Sequence, residues 1–191
     1  MPEQQRKEIP SLEVVKKERE RLLKQKQNIR TILNVAGLLI VVAAVSIIIS
    51  TRFLPVIKVS GSSMEPTLQQ DEILIFAKKG KIQSGDIIAF YYQNKILIKR
   101  VIGVPGDYIE IQDVGKVMVN GQVIEEPYVA DFSVGECDID FPYQVPEGKY
   151  FVLGDNRAVS MDSRNSTIGC VSEEQVLGEA LIKMFPFEKI D

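Results

Sequence analysis

The chain has 191 residues, 45% of them apolar, and a formal net charge of −3. It contains no histidine, which removes every Ser-His-Asp triad, every Cys-His pair and most zinc sites. Residues 1–30 carry nine Lys/Arg against five Asp/Glu, net +4, and the remaining residues fourteen against twenty-one, net −7; an acidic remainder without a basic stripe argues against nucleic acid as a partner.

Residues 11–30, SLEVVKKERERLLKQKQNIR, have a charged helical pattern with few apolar anchors, which predicts a solvated helix beside a membrane. Residues 31–50, TILNVAGLLIVVAAVSIIIS, carry no charge, and about 20 such residues span the hydrocarbon core of a bilayer. A buried core helix is the bland alternative, but nothing downstream offers it a helical partner. A cleaved signal peptide fits poorly, because thirty residues precede the apolar run and Phe53, Leu54 and Pro55 follow it. Lys16, Lys17, Arg19, Arg21, Lys24, Lys26 and Arg30 precede the span, and only Arg52 and Lys58 follow closely. Positive residues stay on the cytoplasmic side. The expectation is a single-pass protein of the plasma membrane, with residues 1–30 cytoplasmic, a transmembrane helix at 31–50 and the remainder outside.

Beyond residue 53 the pattern becomes short β-type runs broken by turns. IKVSG, EILIFAKK, DIIAFYY, KILIKRVIG, DYIEIQ, GKVMVNGQVI, YFVLGD and EALIKMF read as strands. Asn120-Gly121 is a strong hairpin signal. Residues 126–148, with three prolines, read as a loop-rich excursion, and only Ser172 to Val176 suggests a short helix. The predicted fold is mainly β and antiparallel, on one N-terminal membrane helix. Residues 53–105 and 145–191 form its core, and 106–144 an inserted hairpin and loop subdomain. Cys137 and Cys170 cannot build a metal site alone; they form one disulfide or remain two thiols.

GSSMEPTL, residues 61–68, looks like a nucleophile presented on a turn, through Ser62 or Ser63. A serine needs a base, and without histidine the candidates are carboxylates and lysine. Burial disfavours the charged form of lysine and lowers its pKa. Lys99 lies inside ILIKRVIGV, on the strand face of Leu97 and Val101, with Arg100 on the other face beside Ile98 and Ile102. The other lysines beyond the span sit in charged or turn-like surroundings. Taken alone, Lys99 is as readily an edge lysine solvated through its stem, and a Gly-Ser-Ser turn is common.

Three stretches together carry a resemblance. SGSSMEPTL, KRVIGVPGD from Lys99 to Asp107, and GDNRAVSMDSR from Gly154 to Arg164 resemble, in the same order behind the same anchor, the three boxes of bacterial type I signal peptidases. These are membrane-anchored Ser/Lys endopeptidases. The resemblance covers about residues 30–187 and implies a signal-peptidase-like β catalytic domain. It implies Ser63 rather than Ser62 as nucleophile, Lys99 as general base and Ser160 as the residue that orients the lysine amine. It implies Arg100 near Asp155 and Asp162 near Arg164, as structural pairs shaping the site. Some members place a serine two before the nucleophile, where its hydroxyl helps the oxyanion hole; here that position is Gly61. The hole then rests on the Ser63 N–H and a further donor, with Ser60 and Ser62 as candidates.

The resemblance also implies shallow pockets for small side chains, lined by Ile57, Val59, Met64, Leu68, Leu97 and Ile98, although ordinary β-core is an equal reading of these residues. An extended substrate can add as a strand along the site's edge. The implied activity is removal of signal peptides from secretory preproteins after small-x-small sites, by a monomer, with no metal or cofactor. Rival readings are a self-cleaving Ser/Lys repressor, a relative that binds preproteins without cutting them, and a membrane-anchored structural β-protein.

Overall fold

The computed structural model describes residues 12–78, 80–185 and 188–189. One helix, α1, runs from Leu12 to Phe53. The charged stretch and the apolar stretch are therefore one continuous rod, because no proline lies within it to remove a backbone donor. Thr31, at the expected boundary, folds its hydroxyl back onto the Gln27 carbonyl at 3.0 Å. Pro55 stands just past the end, where it cannot continue the helix. The stretch Val15–Ile48 is long and apolar enough to cross a membrane, and its apolar side chains are exposed. Residues 1–11, part of the expected cytoplasmic segment, lie outside the described residues.

The chain divides at residue 50 into two units, and the second is almost wholly antiparallel sheet. Its first strands are β1 (Val56–Lys58), β2 (Ile73–Ala77), β3 (Ile87–Tyr92), β4 (Lys95–Gly103), β5 (Tyr108–Ile111), β6 (Val117–Val119) and β7 (Gln122–Val123). Then follow β8 (Tyr143–Gln144), β9 (Lys149–Leu153), β10 (Val171–Ser172), β11 (Val176–Phe185) and β12 (Glu188–Lys189). The larger sheet has the order β1-β2-β11-β3-β4-β9-β10, with β12 on β11, and the smaller one β7-β6-β5-β8. The expected helix near Ser172 is a single 3-10 turn, Glu173–Gln175. Three short strands, β8, β10 and β12, stand where the sequence pattern shows none, since a two-residue strand is too short to show a period.

Asn120 and Gly121 both take positive φ, 52° and 78°, as a type I′ hairpin requires at its two central positions. They join β6 to β7 inside the smaller sheet.

Three apolar clusters hold the unit together. The first gathers Val59, Met64, Leu68, Leu74 and Phe76, with Ile98 against it. The second gathers Ile88, Phe90, Val101 and Val152, with Leu97 against it. Strand alternation along β4 thus sends Leu97 and Val101 to one cluster and Ile98 to another. The third joins Ile102, Phe151 and Leu153 of the larger sheet to Ile109, Val117 and Val145, which seats the smaller sheet on the larger.

Candidate active site

Three segments meet beside Lys99, in the middle of β4. Pairing of β4 with β9 sets Arg100 opposite Leu153, so the stretch that leaves β9 at Gly154 begins beside Lys99. The third segment is the turn after β1. It closes with Glu65 N–H donating to the Ser62 carbonyl at 3.1 Å and Leu68 N–H to the Met64 carbonyl at 2.9 Å. Met64 and Leu68, 2% and 0% exposed, anchor it in the first cluster. Asn156 N–H donates to the Ser63 carbonyl at 3.1 Å, which ties the turn to the stretch after β9.

These constraints bring Lys99 Nζ to 2.6 Å from Ser63 Oγ. Lys99 is 3% exposed. Burial holds its amine down at about 8, from an ordinary 10.5; the Asp162 carboxylate works against that fall, Arg164 with it and Asp155 against it. A lysine at this value has a substantial neutral fraction near physiological pH, whereas one at its ordinary value has almost none.

Both expected acid–base pairs are formed, and both are buried. Arg100 Nη2 lies 2.8 Å from Asp155 Oδ2 and its Nε 3.0 Å from Oδ1, a bidentate pair. Asp155 Oδ2 also accepts from Thr67 Oγ1 at 2.5 Å. Arg164 Nε and Nη2 each reach Asp162 at 2.8 Å. Arg164 further donates to the carbonyls of Val134 at 2.6 Å and Arg157 at 3.0 Å. Asp162 Oδ2 accepts the Gly154 N–H at 3.0 Å.

Ser160 is buried, at 3% exposure, but its Oγ makes no hydrogen bond among the described residues. The expected bond to the Lys99 amine is not formed; the hydroxyl fills the space that a β-carbon on Gly154 would need. Gly61 has φ of +93° in open space. A side chain there meets no obstacle, but the backbone conformation is one that L-residues rarely adopt.

A cleft of about 80 Å³ adjoins Ser63 and Lys99 and is lined by Ile57, Val59, Met64, Leu97 and Ile98 among others. Leu68 does not line it: fully buried, it belongs to the core. Lys58, Ser60 and Ile96 line the cleft as well. Ile96 is 41% exposed; it lies on the face of β4 that carries Ile98, two residues nearer the strand's exposed start. Cys137 and Cys170 are both free thiols, and burial pushes the Cys170 thiol up.

A family model described as signal peptidase, peptidase S26, matches residues 31–185. The chain belongs to this signal peptidase family. Signal peptidase I U of Bacillus subtilis (strain 168) is 36% identical over 177 residues, covering 86% of this chain and 92% of that protein. Signal peptidase I of Bacillus licheniformis is 40% identical over 145 residues, 69% of this chain and 77% of that protein. A crystal structure of a signal peptidase I from Enterococcus faecalis V583 has 35% identity and a TM-score of 0.44, covering 54% of this chain and 98% of that one. Membership in the signal peptidase family makes this chain a peptidase and supports signal-peptide removal as its work. It implies preprotein substrates and association with a membrane, with which the apolar half of α1 agrees.

Proposed function

We propose that this signal peptidase is a serine endopeptidase in which Ser63 attacks and Lys99 is the base, cutting preproteins after small-x-small sites. The observation that carries this is the 2.6 Å approach of Lys99 Nζ to Ser63 Oγ, made by an amine that burial holds down at about 8.

The steps follow from those two atoms. Neutral Lys99 accepts the Ser63 hydroxyl proton as Oγ attacks the carbonyl of the residue before the cut. The ammonium so formed returns that proton to the departing amine, the peptide bond breaks, and an acyl-Ser63 ester remains. A water molecule then loses a proton to Lys99 and attacks the ester; the ester C–O bond breaks, Lys99 returns the proton to Ser63 Oγ, and the signal peptide leaves as an acid that ionises to its carboxylate in water. The Ser63 N–H would stabilise the oxyanion at both steps. Ser160 is left without the lysine-orienting role that its motif position implies, because its buried hydroxyl makes no bond to the Lys99 amine. Asp155 and Asp162 neutralise buried arginines and shape the walls, and Ile57, Val59, Met64, Leu97 and Ile98 form the pocket floor. In the same reading, residues 1–30 are cytoplasmic and the β unit lies outside.

The test is cleavage of a purified preprotein with an Ala-x-Ala site, in detergent. Wild type cuts after the last alanine, and Ser63→Ala and Lys99→Met, both folded by circular dichroism, do not. Activity retained in Lys99→Met would remove lysine as the base. A wild-type chain inert on several preproteins would favour a binding role.

A further inference from the structure

Glu126 follows an exposed hairpin strand yet is itself buried. It receives both Nη nitrogens of Arg157, one of them at 3.4 Å, and the Tyr128 hydroxyl at 3.2 Å. The Arg157 and Glu126 side chains are 1% and 0% exposed. Arg157 uses its third nitrogen, Nε, on the Gly154 carbonyl at 3.1 Å. Gly154 lies against the Ser63 carbonyl, and Asn156, two residues on, holds that carbonyl by its N–H.

In the other direction, the Tyr128 ring lies under the Arg100 guanidinium, 3.9 Å from its carbon to the ring centroid. Arg100 is bound to Asp155 along its Nε/Nη2 edge and is the chain neighbour of Lys99. One carboxylate from the segment after β7 therefore stands behind both Ser63 and Lys99 while touching neither.

A buried ion pair is poor ground for stability, because apolar residues of similar volume often replace it without loss. What it supplies is a fixed geometry: the arginine fork has one orientation that serves Glu126 and Gly154 together. We infer that Glu126 is a positioning residue for the Ser63–Lys99 reaction. Through Arg157 it fixes residues 154–156 against the Ser63 carbonyl, and through Tyr128 it fixes Arg100 beside Lys99. The inference rests on the proposed Ser63–Lys99 chemistry.

The experiment uses the full chain in detergent with a preprotein substrate, comparing wild type, Glu126→Gln, Glu126→Asp, the double variant Glu126→Leu/Arg157→Leu, and Ser63→Ala. The double variant has no unpaired buried charge, so it melts close to wild type. Its kcat falls about 10²-fold, the scale of an ångström-sized misplacement of reacting groups, with KM changed by less than about threefold. Glu126→Asp retains a carboxylate and recovers more kcat than Glu126→Gln. A double variant with wild-type kcat makes the pair structural only and overturns the inference. If the double variant does not fold, Glu126→Gln decides: wild-type kcat per folded molecule overturns it equally. Cleavage that survives in Ser63→Ala removes the parent reading and this inference with it; a dead Ser63→Ala beside a fully active Glu126→Gln removes the inference alone.

Discussion

A β-carbon on Gly154 would stand 2.5 Å from the carbonyl oxygen of Ser63 and 2.6 Å from Cβ of Ser160. The two active-site loops therefore touch backbone to backbone, and the absence of a side chain at Gly154 is what lets them do so.

Gly154→Ala must push the Ser63 turn away from the stretch after β9. The expected result is a kcat loss of about 10²-fold or more, with an overpacking cost of roughly 1–3 kcal/mol. Steady-state cleavage and denaturant unfolding on the same preparation check both. A Gly154→Ala chain of wild-type kcat would mean that the loop contact does not set the geometry of the nucleophile.

The rate should depend on pH through Lys99. In the proposed chemistry its amine, which sits at about 8, must be neutral to act, so kcat/KM rises with pH through that value and levels above it. Stability moves the same way. The unfolded chain holds this proton up to about 10.5 and the folded chain releases it near 8. Between those values the unfolded state binds more protons, so stability rises with pH. Below the folded value the full burden of burying the ammonium is present. Urea unfolding from pH 7.5 to 10 should show wild type gaining on Lys99→Met; parallel curves would contradict it.

Asp162 is the largest influence holding the Lys99 proton on. Asp162→Asn removes that charge and leaves Arg164, which drives the proton off. The acid limb of kcat/KM should move to lower pH. Breaking the buried pair should also cost about 3–5 kcal/mol, read as a fall in Tm. A limb that stays in place while Tm falls would assign Asp162 to stability alone.

The cleft beside Ser63 holds about 80 Å³, and its floor residues Val59 and Met64 are buried core that cannot recede without cavities opening elsewhere. A preprotein with Phe in place of the last alanine of Ala-x-Ala should lose cleavage by at least about tenfold, since a misfit of even one methylene in an apolar pocket is worth 10-fold or more. Equal cleavage of both substrates would place the acyl side of the substrate elsewhere.

Much of this protein is legible residue by residue. The aliphatic run in KILIKRVIG reads as a strand, Asn120-Gly121 as a hairpin, and the twenty uncharged residues from Thr31 to Ser50 as a membrane-spanning helix. Each is a statement about near neighbours in the chain, so composition and period suffice. The absence of histidine leaves carboxylates and lysine as candidate bases, and the resemblance carried by the three motifs implies Ser63 and Lys99.

The tertiary structure decided what depends on distant segments meeting. Leu68 reads equally as pocket or core until the turn after β1 folds onto the sheet and buries it. Ser160 lies under Gly154 without the bond to Lys99 that its motif position suggests. Glu126 and Arg157 carry no sign of each other, because the pair forms only when the segment after β7 closes over the stretch after β9, 31 residues on. The depressed Lys99 amine is of the same kind. An apolar strand makes burial possible, but the balance among burial, Asp162 and Arg164 is set by distances that no local pattern encodes.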